Sequence, residues 1–78
     1  MDAENKYKKG DEVKGVIIKH NKHGALVSLE EGVAGLSHIS EFKGEDDLRR
    51  TLELGKTYRF KINLFDAKNQ KLTMSLVK

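Results

Sequence analysis

Apolar and polar positions in this chain fall into five short period-two runs and one stretch with helical spacing. The cleanest run lies between Lys56 and Phe65. There Tyr58, Phe60, Ile62 and Leu64 are predicted to face inward, and Arg59, Lys61 and Asn63 outward. Earlier, Ala25, Val27 and Leu29 alternate with Leu26 and Ser28, which predicts a half-buried strand. Glu30-Glu31-Gly32 reads as a tight turn, after which Val33 and Leu36 return to the core with Gly35 between them. Val13–His20 is rich in β-branched residues, with Val13, Gly15 and Ile17 on one phase and Val16 and Ile18 on the other. That strand is therefore expected to be covered on both faces. In the last run Leu72, Met74 and Leu76 point in, and Thr73 and Ser75 point out.

The connections complete the pattern. Residues 1–7 are polar and aperiodic, a flexible N-terminal segment, although Tyr7 can pack back on the strands. The folded domain is expected over residues 8–78. Asn21–Gly24 is a hairpin loop, and Ser37–Phe42 is a single helical turn with Ile39 and Phe42 inward. Glu45–Leu54 reads as a short helix with acids in its first turn, Leu48 and Leu52 on one face, and Gly55 as its stop. Asp66–Lys71 is a loop. Five strands with one helix between the third and fourth predict an all-β fold, the five-stranded OB-fold barrel.

Composition narrows the setting. With 78 residues the chain buries roughly 60–65% of its unfolded surface, a small core. It has no cysteine, which excludes disulfides and thiolate metal sites and fits a cytoplasmic location. No apolar run approaches the roughly 20 residues of a membrane span. The net charge of +3 is unevenly placed. Residues 30–53 hold seven acids (Glu30, Glu31, Glu41, Glu45, Asp46, Asp47, Glu53) and three bases, while the other positions hold twelve bases and five acids. A basic side opposed to an acidic one suits a polyanionic partner, and equally a solvated surface.

Two stretches carry a resemblance. Gly24-Ala25-Leu26-Val27 followed by Gly35-Leu36-Ser37-His38-Ile39-Ser40 resembles the Gly-aromatic-Val strand and Gly-Leu-x-His-x-Ser segment of the S1 RNA-binding domain family. Gly10-Asp11, Gly55-Lys56, Asp66 and Leu72-Thr73-Met74-Ser75-Leu76 extend the match over nearly the whole chain. The resemblance implies a face on the second and third strands that binds single-stranded RNA. Its two aromatic positions fall on His23 and Leu26, its histidine on His38, its aspartate on Asp66 and its basic residue on Lys71.

Leu26 is informative by itself, since alternation puts it outside the barrel, where it either meets a base or lies under a loop. Leucine lacks a π-face, and stacking is worth roughly 1–3 kcal/mol per base, so weaker RNA binding is expected than with both aromatics. His23 and His38 can stack on bases or pair with phosphate; equally, His23 can be a solvated loop residue and His38 a corner hydrogen-bonder. Asp66 is expected to order its loop or orient Lys71. Lys19, Lys22, Arg59, Lys61 and Lys71 are candidate phosphate contacts. Ser37 and Asn63 are candidates for base edges, and His20 for a partly covered position in the barrel.

Catalysis is not expected. The three histidines and Asp66 lack HxxH or HExxH spacing, and no Gly-rich phosphate loop or nucleophile turn is present, so no metal and no cofactor is predicted. The leading expectation is a monomeric single-stranded RNA-binding module with little sequence preference. Its implied setting is one repeat of a ribosomal small-subunit protein acting on mRNA in translation. The partners would be RNA, with the ribosome or neighbouring repeats, and no membrane. Two alternatives stand beside it: a protein-docking repeat, and an accessory domain of an exoribonuclease.

Overall fold

The inward positions of the five runs converge on one apolar interior formed by Ile17, Ala25, Val27, Phe60, Ile62, Leu72 and Met74. The computed structural model describes residues 7–30, 32–66 and 71–77, with Lys71 by its backbone. Strands β1 (Glu12–Asn21), β2 (Gly24–Glu30), β3 (Val33–His38), β4 (Thr57–Asp66) and β5 (Lys71–Leu76) close into a barrel in the order β1-β2-β3-β5-β4. β4 returns to β1, and only β3 and β5 run parallel. Helix α1 (Glu45–Thr51) lies between β3 and β4, as the OB-fold requires. No helix among the described residues is long and apolar enough to cross a membrane.

Helix α1 is too short to be stable alone, so packing must hold it. Leu48 and Leu52 are both buried, each contributing roughly 2 kcal/mol by leaving water. The helix ends at Thr51, earlier than the predicted Leu54. Leu52 caps it in extended geometry, and Leu54 is left 58% exposed. The predicted turn after β3 is a 3-10 turn over Ile39–Glu41, with Ile39 and Phe42 packed against the core.

Two bulges alter the predicted facing. In β1 the pairing passes from Ile17↔Val27 to Lys19↔Leu26, which skips Ile18 and leaves it 49% exposed. The strand is thus not covered on both faces there. In β4 it passes from Ile62↔Met74 to Leu64↔Thr73, skipping Asn63. Leu64, expected inside, therefore stands outside at 52% exposure, and Phe65 takes the place against the core. Leu36 is a third correction. Register pairs Val27 with Gly35 and Leu26 with Leu36, and opposed residues share a face, so Leu36 is on the outside with Leu26. The inward residues of β3 are Val33, which packs against the core as predicted, Gly35 and Ser37. A Cβ at Gly35 would lie 2.5 Å from Met74 Cε and 2.8 Å from the Leu72 carbonyl oxygen, so β5 passes too close for a side chain.

At the N-terminal margin, Tyr7 is buried, packs edge-on to Phe65 at 6.0 Å between centroids, and donates to Glu30 Oε1 at 2.7 Å. Tyr7 thus packs back on the barrel, as the sequence allowed, although it falls within the segment expected to be flexible. Residues 1–6, Glu31 of the predicted turn, and residues 67–70 of the predicted loop lie outside the described residues.

Candidate functional site

Cross-strand register lays one row of side chains across the outside of the barrel: Lys19, Leu26, Leu36, Thr73 and Leu64. Leu26, Leu36 and Thr73 are half-buried, and Lys19 and Leu64 are exposed. The centre of this row is apolar and carries a cation at its β1 end.

The two candidate histidines meet at one end of the β2–β3 ladder. His38 pairs with Gly24, and His23 precedes that glycine in the β1–β2 turn. Ile39 N–H donates to the His23 carbonyl at 2.9 Å, tying the turn to the end of β3. Asn21 shapes the turn, its Oδ1 accepting from His23 N–H at 2.8 Å and Gly24 N–H at 3.0 Å. Gly24 has φ +149, and a Cβ there would overlap the Ser37 carbonyl oxygen. Only glycine lets the turn close this tightly on β3.

His38 also caps the 3-10 turn. Its Nδ1 accepts from Ser40 N–H at 3.0 Å and lies 2.9 Å from Ser40 Oγ. An acceptor Nδ1 assigns the proton of the neutral ring to Nε2, which leaves that nitrogen able to donate. The ring is exposed.

The other candidates divide. Lys22 is exposed in the turn with His23. Asp66 pairs with Lys71 two positions beyond Leu64, at the opposite margin of the leucine row from His38. Because β3 and β5 run parallel, His38 and the Lys71 backbone are offset by four residues, roughly 13 Å along the strands. The predicted contact of Asp66 with the Lys71 side chain lies outside the described residues. On β4, Arg59 is opposite Lys14 of β1, and Lys61 is opposite both Glu12 of β1 and Ser75 of β5; the structure does not bring Arg59 to the leucine row. Ser37 is fully buried and cannot reach a base edge. Asn63 is exposed, but its amide donates to Ser75 Oγ, which in turn donates to Glu41. His20 is partly covered as expected, its Nε2–H donating to the Leu52 carbonyl at 2.5 Å.

Sequence reasoning placed Thr73 outside correctly but missed Leu36 and Leu64 as outer-row residues, because their facing depends on pairing register. It also missed Asn21, although Asn two residues before a turn's end was a readable signal. Among the described residues no group of three or more His, Cys, Asp or Glu could hold a metal ion.

Comparison with known proteins agrees with this geometry. The family described as "S1 RNA binding domain" matches residues 6–76. The chain is 36% identical over 77 residues to a 4-hydroxy-3-methylbut-2-enyl diphosphate reductase of Clostridium tetani, covering 96% of this chain and 12% of that protein. It is 32% identical over 72 residues to the small ribosomal subunit protein bS1 of Staphylococcus aureus, covering 90% of this chain and 18% of that one. The solution structure of GSP13 from Bacillus subtilis superposes with a TM-score of 0.78 at 29% identity, over 90% of this chain and 55% of that one. The chain thus spans under a fifth of either curated relative.

Proposed function

The chain belongs to the S1 RNA-binding domain family, and on that premise we propose that it holds single-stranded RNA, with little sequence preference, on the outer face of β2 and β3. The observation that carries this reading is the Leu26–Leu36 pair flanked by Lys19 on β1 and, at one end of the ladder, by Lys22, His23 and His38. Half-buried leucines give bases an apolar surface to lie on. The histidines add rings and a donor, and the lysines neutralise phosphate without reading sequence. His23, Leu26, His38, Lys19 and Lys22 form the centre of the proposed interface, with Asp66 and Lys71 at its margin. The likeness to bS1 supports a setting in translation on mRNA, as one repeat of a longer ribosomal protein acting in the cytoplasm. The likeness to the reductase supports a binding domain carried by an enzyme whose chemistry lies elsewhere.

A titration of the isotope-labelled chain with oligo-uridine tests the reading. Amide shifts at His23, Leu26 and His38 that weaken with salt are expected, each phosphate contact contributing a log–log slope of about −0.7. A second reading is favoured by one feature: both aromatic positions are lost and three leucines, Leu26, Leu36 and Leu64, stand on the outside. Such a face suits docking to a protein. No shift at millimolar RNA, together with binding to a ribosomal protein, would replace the RNA reading with this one.

A further inference from the structure

We propose that the β1–β4 face carries a second groove, centred on Lys14 and Arg59, that binds the phosphodiester backbone of the same RNA strand. This rests on the RNA reading of the β2–β3 face.

Lys14 and Arg59 are directly opposed across the β1–β4 ladder, and the next pair on the same face is Glu12 and Lys61. Like charges placed opposite each other in a ladder repel. Glu12 approaches Arg59 Nη1 at 3.9 Å while also facing Lys61, so three cations share one carboxylate, a net +2. The pairs are exposed, and an anion resting between Lys14 and Arg59 would remove the repulsion. The surface there is concave. A shallow, open depression of about 500 Å³ is lined by Lys14, Thr57, Tyr58, Arg59 and Val77.

The lining suits a nucleotide unit better than a carboxylate chain. Arg59 offers a planar fork for phosphate oxygens, and Lys14 a point charge beside it. Val77 contributes an apolar rim, while Tyr58 packs against the core edge-on to Phe60, its hydroxyl accepting from Glu53 N–H at 2.9 Å, and steadies the strand from the inside. An acidic peptide would use the cations with carboxylates, which lack the tetrahedral set of oxygens that both cations can share. β1 links the two faces, with Lys19 at the end of the leucine row and Lys14 at the groove, roughly 16 Å apart along the strand. A strand long enough to pass along β1 meets both.

Two lengths of oligo-uridine separate the sites: roughly four nucleotides, which the β2–β3 face alone can hold, and roughly twelve. The longer RNA is expected to shift amides of Lys14, Thr57 and Arg59 in addition to those of His23 and His38. Lys14→Ser combined with Arg59→Ser should make its salt slope shallower by about 1.4 and leave the short RNA unaffected. Both side chains are exposed, and retained amide dispersion will show that the variant folds. If the short RNA binds but the double variant leaves the long RNA's slope unchanged, the groove is overturned and the β2–β3 reading stands. If neither length binds, both fall. Equal shifts at the groove from poly-glutamate would mark a general anion site and overturn its assignment to nucleic acid.

Discussion

Leu26 and Leu36 stand directly opposite each other on the outside of the barrel, in the register that sets Val27 against Gly35 on the inside. The family's resemblance places an aromatic where Leu26 stands. The structure shows that Leu36 beside it forms the other half of the apolar surface, so the face remains apolar after losing its ring.

Leu26→Phe restores a π-face at the centre of that surface. Base stacking on an aromatic is worth roughly 1–3 kcal/mol, and relative to leucine the lower end applies, about fivefold tighter binding of oligo-uridine. Leu26→Ala should weaken binding while moving the thermal midpoint little, since the side chain is only half-buried. Anisotropy titrations of the two variants check this. Unchanged affinity in both would remove RNA from this face.

Legibility from sequence followed the distance over which each feature is decided. The five strands, the inward facing of Phe60, Ile62 and Met74, and the docking of Leu48 and Leu52 depend on local period, and the pattern carried them. Leu36 and Leu64 depend on register with another strand, and single-residue bulges reset it at Ile18 and Asn63 without any composition signal. The same limit applied to the candidate interface. His23 and His38 were readable from order along the chain, but whether Arg59 joins them is decided by which edge of β4 pairs with β1.

Gly24 couples the fold to the proposed interface. At φ +149 and with the Ser37 carbonyl in the way, Gly24→Ala has to push β2 from β3 at the end where His23 and His38 meet. A destabilisation of about 1–3 kcal/mol is expected by chemical denaturation, as for other overpacked sites. RNA affinity should fall beyond what the unfolded fraction explains, because the turn that presents both rings moves. Affinity unchanged after correction for unfolding would separate the histidines from the binding face.

Tyr7 makes alkaline stability a test of the N-terminal contact. Burial first, then the hydrogen bond and charge of Glu30, push its phenol up to about 12 from an ordinary value of 10.0. The folded state thus holds this proton more tightly than the unfolded state. The contribution is complete below pH 10 and is lost as pH rises towards 12, about 1–2 kcal/mol over the window after solvent screening. Denaturation curves of the wild type and Tyr7→Phe should therefore converge through this range. A constant difference would mean that the phenol is not held against Glu30.

His38 holds the corner and is proposed to meet RNA, and substitution separates the two roles. Its Nδ1 caps the 3-10 turn through Ser40 N–H, and Nε2–H is the group left to meet RNA. His38→Ala removes both, and loss of a capping side chain costs about 1 kcal/mol. His38→Asn keeps a short acceptor for the Ser40 N–H but no ring, so stability should stay near wild type while oligo-uridine affinity drops as in His38→Ala. Paired denaturation and titration of the two variants read the tasks independently. If His38→Asn binds RNA as tightly as wild type, the histidine serves the corner alone, and the binding surface must be drawn around Leu26 and the lysines without it.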